Sequence, residues 1–413
     1  MKTDLIIIGG GPAGLFTAIQ CKLLSKNAKK INISILEKNP TVGKKLLMTG
    51  AGKCNLTQEG DIKDFLKHYG DNKNFIKTPL YQFNNKDLIH FFKIRGVNFV
   101  STDKGKIFPE SYKAGDILNI LINESSKNGI NVLCKEKVLD VKTSINKGFF
   151  IKTEKNNYNC RFLVLATGGL SYPVTGSSGD GYKFAHSLGH HIFKPSPALT
   201  PIYVENYTFS ELAGITLRDI NISLWRQQNL IKRWTGDILF THEGLSGPGI
   251  LNFSRYIIPS DIVKLQLIKR ENESILREEL IKKINNNGKL LFKNIVKDYP
   301  LPQRLINKIL EIADISVNTK AAQLKKDKRN NITKLLYNLP LKVKRLGDFN
   351  EAMVTGGGID LNEIHKKTME SRLVPNLFVI GELLDLDGDT GGYNLQAAFS
   401  TAFLAAKAIS TMV

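Results

Sequence analysis

Leu5-Ile6-Ile7-Ile8-Gly9-Gly10-Gly11-Pro12-Ala13-Gly14 decides the fold of this 413-residue chain, because an unbroken apolar run passes straight into a glycine cluster. A strand buried on both faces of a parallel sheet reads as a continuous apolar run rather than an alternating one. The glycines follow without a spacer, at the spacing of a dinucleotide-binding turn. Gly9 then permits the tight turn, Gly11 carries no side chain to hold a pyrophosphate off the backbone, and Gly14 lets the following helix pack closely. Pro12 and Ala13 open that helix, whose free N–H groups meet the anion. Leu15, Ala18, Ile19 and Leu23 recur at helical spacing. Ile31 to Leu36 predicts a second strand. It ends in Glu37, 23 residues after Gly14 and close to the ~20-residue offset at which an acidic side chain accepts hydrogen bonds from a ribose.

Length and composition bound the rest. A chain of 413 residues with 42% hydrophobic content accommodates two or three domains with a sizeable core. No apolar run approaches the ~18 residues that span a membrane, and Leu5 to Ile8 is too short for a signal-peptide core, so a soluble, cytoplasmic protein with no membrane partner is expected. Cys21, Cys54, Cys134 and Cys160 are scattered, without a CxxC and without ligand-like spacing to the seven histidines. Neither a disulfide framework nor a metal site is indicated, and free thiols suit a reducing cytosol. The net charge of +20 pulls toward nucleic acid or anionic membrane. Its spread along the chain, with one denser stretch from Lys325 to Arg345, reads instead as solvated lysine-rich faces, with no specific nucleic-acid partner.

From Val42 to Thr57 the glycine-rich texture predicts a long loop, in which Lys44, Lys45 and Lys53 supply positive charge near a diphosphate. Helices are predicted over Asn85 to Gly96 and Ala114 to Gly129, and strands near Ile130 to Leu133, Val138 to Thr143 and Phe149 to Thr153. The run Arg161 to Leu165 is a second buried strand, and it ends in Ala166-Thr167-Gly168-Gly169, small residues that let backbone approach the same cofactor. Pro195, Pro197 and Pro201 then mark a change of texture. Short strand-like runs such as Ile220 to Trp225 and Ile238 to Phe240 give way to a charged helical region from about Ser274 to Asn331. Gly356-Gly357-Gly358 lacks a following helix and so is not a second dinucleotide turn. Near the end, a strand runs into Gly381-Glu382, an acidic loop follows, and Thr390-Gly391-Gly392-Tyr393-Asn394 opens a helix of small residues. That helix N-terminus can face the electron-rich side of a redox ring.

These landmarks, joined by Gly179-Asp180-Gly181-Tyr182, Phe240-Thr241-His242-Glu243-Gly244-Leu245-Ser246-Gly247-Pro248 and Val354-Thr355-Gly356-Gly357-Gly358, resemble the FAD-dependent oxidoreductases related to BaiN and aminoacetone oxidase over nearly the whole chain. Lys53 departs from the pattern, since the family often has arginine there. The resemblance implies an α/β fold, with a Rossmann-like FAD-binding domain built from residues 1–194 and 346–413. It also implies an inserted module over 195–345, β-barrel-like to about 270, helical over about 271–331, and returning over about 332–345. Motifs and resemblance together mark Gly9, Gly11, Pro12, Ala13, Gly14, Glu37 and Lys38 as binding the adenosine end of FAD. Lys44, Lys45, Gly52, Cys54 and Asn55 come from the loop, and Val138, Ala166, Thr167 and Gly168 from neighbouring strands. Gly381, Glu382, Asp387, Gly392, Tyr393 and Asn394 complete the set toward the flavin.

The flavin carries the hydride chemistry in such an enzyme, and the protein supplies orientation and electrostatics. A reductase is expected, with NAD(P)H as transient electron donor and a small organic substrate such as a conjugated C=C compound. An amine oxidase that uses O2 and a basic FAD protein acting on or binding RNA are the alternatives. His242, Tyr172 and Tyr393 are the candidates for proton transfer, although isolated histidines and loop tyrosines more often serve packing. Cys54, without a CxxC partner, reads as a cofactor-loop residue rather than a redox dithiol.

Overall fold

The structure is a computed structural model that describes residues 2–25, 31–144 and 148–413. The opening apolar run forms the strand Lys2–Ile8 (β1), with Leu5, Ile6 and Ile7 fully buried. It sits inside a seven-stranded sheet with Ile33–Glu37 (β2), Asn131–Cys134 (β3), Val138–Thr143 (β4), Phe149–Thr153 (β5), Asn157–Leu165 (β6) and Leu377–Val379 (β7). The order is β3-β2-β1-β6-β5-β4, and β7 pairs with the carboxyl half of β6. The strands β3, β2, β1, β6 and β7 run parallel, whereas β4, β5 and the start of β6 are antiparallel. Ile7 lies opposite Ile35 on one side and Val164 on the other. Burial along β6 alternates from Asn157 to Arg161 and is continuous from Phe162 to Leu165. The strand therefore changes from a half-open to a doubly covered setting just before the cofactor motif.

Two helices start beside the carboxyl ends of these strands. Pro12–Leu24 (α1) packs along the carboxyl-terminal helix Tyr393–Ser410, and Thr17 Oγ1 donates to the Ala402 carbonyl at 3.4 Å, an approach that alanines on both helices permit. Phe16 anchors the pair, with ring centroids of Phe83, Phe91 and Phe399 at 5.2, 4.9 and 5.1 Å.

The segment from Val42 to Thr57 is largely irregular, as its glycines predict, but one short regular element interrupts it. Lys44–Met48 forms a short helix (α2), preceded by Gly43 at φ +71°, and Thr57–Gln58 joins Lys106–Pro109 and Phe99–Ser101 in a small antiparallel sheet. Lys, Leu and Met are good helix formers, and the flanking glycines hide so short a run. Lys73–Gln82 is also helical despite Pro79 within it.

The chain divides into two compact units, Met1–Ala198 with Phe349–Val413, and Leu199–Asp348. The division falls a few residues beyond 194 and 345, because the strand Ile192–Ala198 pairs with Val354–Ile359 in the first unit. Pro195 and Pro197 are tolerated there because a two-stranded sheet leaves each strand an open edge, where a missing N–H costs little. The second unit is a closed six-stranded barrel ordered Ile202–Val204, Gly244–Ser246, Asn229–Phe240, Thr216–Arg226, Ile262–Gln266 and Leu339–Leu346. Helices Glu273–Asn286, Phe292–Val296, Gln303–Ile312 and Lys326–Tyr337 are inserted between its last two strands. The stretch expected as a simple return is thus the end of a helix and the strand that closes the barrel. Among the described residues, no helix is long and apolar enough to cross a membrane.

Candidate functional site

The carboxyl ends of β1, β2, β6 and β7 border a cleft of about 1390 Å³ that opens to solvent. Gly9, at φ +112°, makes the sharp exit from β1, and a Cβ there would lie 2.4 Å from the Ala166 carbonyl oxygen. The two strand ends can approach only because that atom is missing. Gly11 is the opposite case. No protein atom lies within 4 Å of a Cβ built on it, so its bare face looks into the cleft. The N-terminus of α1 begins at this point with no side-chain cap, leaving first-turn N–H groups for an anion. Gly14 does not line the cleft. A Cβ there would sit 2.1 Å from the Gly9 carbonyl oxygen, so this glycine serves the packing of α1 on the turn.

Glu37 ends β2 with its side chain buried in the cleft wall. Its Oε2 accepts from the Gly10 N–H at 2.8 Å, and its Oε1 accepts from the Asn39 N–H and the Asn39 side-chain amide, both at 2.8 Å. Three of a carboxylate's roughly four acceptor sites are filled, which fixes the group and leaves capacity for a ribose hydroxyl. A cradle with an open Gly11, an uncapped helix start and a fixed carboxylate suits the adenosine diphosphate half of FAD.

Cations and carboxylates alternate around the rest of the cleft. Lys38 donates to Asp180 at 2.7 Å and also to Ser178, and Lys44 reaches Asn39 Oδ1 at 3.3 Å. Lys45 is committed to Glu382, at 2.5 Å, and to Ser171 Oγ, at 2.7 Å. Glu382 Oε1 accepts in turn from Ser171 Oγ at 2.7 Å and the Thr355 N–H at 2.9 Å. The positive charge expected of Lys45 is therefore balanced within the protein. Glu136 is buried in the wall. Burial opposes its charge, but hydrogen bonds from Thr153, Asn156 and Tyr158, with Lys155 nearby, hold its carboxyl below the usual range.

Pro12, Ala13, Val138, Ala166, Thr167, Gly168, Gly381 and Asn394 also line the cleft, whereas Gly52, Cys54, Asn55, Asp387, Gly392 and Tyr393 do not. Asn55, from behind the wall, and Asn394, within it, hold the wall in place. Asn55 accepts from the Gly392 N–H at 3.1 Å and so fixes the start of the carboxyl-terminal helix. Asn394 both accepts from the Gly388 N–H and donates to its carbonyl, at 2.8 Å each, clamping the loop that contains Asp387. Burial pushes the Cys54 thiol up to about 12, which keeps it protonated. Tyr393 is buried between Phe65 and His68, and burial, followed by Asp389 and Asp64, pushes its phenol up to about 12. Tyr172 lies outside the lining, at φ +54°, with its N–H on the Phe349 carbonyl. His242 belongs to the second unit, where its side chain is exposed and its carbonyl accepts from Ser210 Oγ.

Some residues escaped the sequence reading. Asn39 had a readable signal, standing two positions after the strand-end acid, but Glu136 and Lys137 had none. His68 carries its Nδ1 2.9 Å from Asp389 Oδ2 and stacks on Tyr393 at 4.2 Å, a pairing across 321 positions that local pattern does not reveal.

Residues 3–408 match the family described as HI0933-like protein Rossmann domain. The ribosomal RNA dihydrouridine synthase of Haemophilus influenzae is 32% identical, over 99% of this chain and 98% of its own length. The 3-dehydro-bile acid delta(4,6)-reductase of Clostridium scindens is 30% identical, over 97% of this chain and 98% of its own. Among solved structures, 3-ketosteroid delta1-dehydrogenase from Sterolibacterium denitrificans aligns at a TM-score of 0.51 with 11% identity, covering 100% of both chains, which is a likeness of fold. With its parallel sheet, glycine turn and cradle for an adenosine diphosphate, the chain belongs to the HI0933-like Rossmann family and is an FAD-dependent oxidoreductase.

Proposed function

We propose that this enzyme reduces a carbon–carbon double bond conjugated to a carbonyl group, with NAD(P)H as the transient hydride donor. The observation that carries it is that two relatives spanning the whole chain are named for two such reductions, one of uridine and one of a 3-oxo bile acid. In both substrates a ring double bond is conjugated with C=O. FAD, when bound in the cleft, supplies the hydride relay from nicotinamide to the β-carbon. The α-carbon takes a proton, so the product gains two hydrogens and the nicotinamide is oxidised.

The residues of the chain have separate duties in this scheme. The first-turn N–H groups of α1 hold the pyrophosphate, and Glu37 holds the adenosine ribose. Glu382, oriented by Lys45, Ser171 and Thr355, offers an acceptor to the cofactor's polyol, and the N-terminus of the carboxyl-terminal helix favours negative charge on the redox ring. His68, held through Nδ1 by Asp389 and stacked on Tyr393 behind the cleft wall, is the group we propose for proton transfer. A cytoplasmic location, which maintains both NAD(P)H and free thiols, suits the four unpaired cysteines.

Anaerobic titration with NADH and NADPH, followed by addition of 2-cyclohexenone, tests the scheme. Bleaching of the flavin by one nucleotide and recovery of its colour on adding the enone are expected. Peroxide formed from an amine without NAD(P)H, or a flavin that neither nucleotide bleaches, overturns it.

A further inference from the structure

The outer face of the barrel carries an arrangement that the cofactor site does not use. Ile222, Leu224, Val263 and Leu265 point into the barrel core, so the residues between them in the strands point outward. Strand register sets these outward residues in rows. Arg233, Ser223, Lys264 and Pro340 lie side by side across four strands. The next row is Leu230, Trp225, Ile262 and Lys342, and on the other side Thr235, Asn221 and Gln266 are joined by hydrogen bonds of 2.8 Å. Trp225 donates its indole N–H to Ser223 Oγ at 2.9 Å, and the Lys264 ammonium stands 4.0 Å from the indole centroid.

The charge of this face is one-sided. The carboxylates that border it are engaged within the protein: Asp219 by Lys269, Glu205 by Lys342 and Asp261 by Arg226, while Asp237 accepts from the Asp219 N–H at 3.0 Å. Leu199–Asp348 as a whole has 25 Lys and Arg against 15 Asp and Glu, so 25 − 15 = +10 of the chain's +20 falls in little more than a third of its residues. A half-buried indole on the outer surface of the barrel near the turn that joins two strands, flanked by aliphatic side chains and cations, is what unpaired bases and their phosphates bind. A duplex presents no free base face to it.

We propose that this barrel face binds a single-stranded segment of RNA, with one base stacked on Trp225 and adjacent phosphates on Arg233 and Lys264. The base displaces the Lys264 ammonium from the indole, and the ammonium moves to a phosphate. This rests on the reduction of a conjugated ring double bond proposed above and assigns the barrel face the task of holding RNA, a departure from the expectation of a small-molecule substrate alone.

The test measures binding of a short uridine-rich single-stranded RNA to the full-length FAD-loaded protein over a range of KCl concentrations. Trp225→Ala is expected to weaken binding about tenfold or more, the scale of one stacked base, whereas Trp225→Phe retains most of the affinity. The double variant Arg233→Gln/Lys264→Gln is expected to flatten the slope of log affinity against log salt by about 1.4, at ~0.7 per phosphate contact. Lys77→Gln, an exposed cation of the other unit, is the control and changes neither quantity. Equal affinities and slopes in all four variants overturn the proposal, as does equal competition by polyglutamate. Reduction of 2-cyclohexenone by Trp225→Ala separates the two readings. If the enone is turned over while RNA binding is indifferent to the variants, the barrel face fails alone; if RNA binding responds while no enone is reduced, the reductase scheme fails alone.

Discussion

At the scale of single residues, Gly11 and Gly14 belong to one motif but do different work. A Cβ at Gly14 would lie 2.1 Å from the Gly9 carbonyl oxygen, a backbone atom with no freedom to move aside. Gly14→Ala is therefore expected to cost about 1–3 kcal/mol in the cofactor-free protein, read as a lower urea midpoint, although alanine is the better helix former. At Gly11 the added atom meets nothing of the protein, so Gly11→Ala should leave that midpoint within about 0.5 kcal/mol while weakening FAD binding about tenfold or more. Equal effects of the two on both measurements would show that the motif does not divide its labour. Cys54 gives a second test. Its buried thiol, pushed up to about 12, stays protonated at neutral and mildly alkaline pH, and the thiolate is the reactive form. Iodoacetamide is expected to spare Cys54 in the native protein at pH 8 and to label it in urea, as read by peptide mass; native labelling would show the thiol to be accessible and reactive. Gly9, Gly11 and Glu37 were legible because a backbone requirement fixed both residue type and spacing. Cys54 lies outside the cleft lining, a placement that its sequence proximity to Lys44 and Lys45 does not reveal, since proximity says nothing of which side of a wall a side chain takes.

At the scale of elements, legibility followed burial. Strand β1 and the end of β6 are covered on both faces and so read as continuous apolar runs. The barrel strands Thr216–Arg226 and Asn229–Phe240 surfaced only as fragments, since their outward positions carry Arg, Asp, Lys and Thr. Ile192–Ala198 was concealed by its prolines. One buried tie between such elements has a pH signature. His190 Nε2 lies 3.0 Å from Ser371 Oγ and its Nδ1 3.0 Å from Glu363 Oε2. Because Ser371 Oγ already accepts two backbone N–H groups, from Leu373 and Val374, its own proton goes to Nε2, and the imidazole is neutral with Nδ1–H donated to Glu363. Burial lowers the pKa of His190 below its ordinary 6.5, outweighing the upward pull of Glu363. As pH falls through 6.5 the unfolded chain protonates first, so this contribution is complete above 6.5 and is lost between 6.5 and the lower folded value. Urea midpoints at about pH 7.5 and about pH 5.5 should differ less in His190→Gln than in the parent protein. An unchanged difference would assign the acid sensitivity to other groups.

At the scale of the whole molecule, each unit has an apolar core of its own, around Ile7, Phe16, Leu163 and Phe399 in one and around Leu224, Val263, Leu276 and Ile309 in the other. The order of elements foreshadowed such a division, since the strand–glycine–helix texture at the start returns only after the charged helices. The barrel closure could not be read from local pattern, because its last strand, Leu339–Leu346, is separated from its partner Ile262–Gln266 by four helices. Every residue lining the cofactor cleft lies in the first unit. A ligand stabilises only the cooperative unit that binds it, by about 2.7 kcal/mol when it is present at ~100 times its dissociation constant. Calorimetry of the protein with and without saturating FAD is therefore expected to show two unfolding transitions, one moved upward by the cofactor and one left in place. Hydrogen exchange can identify them, with amides of β1 and β6 protected further by FAD and those of Thr216–Arg226 unaffected. A single transition that moves as a whole would mean that the two cores unfold as one cooperative unit, and cofactor binding would then also govern the stability of the barrel face proposed to hold RNA.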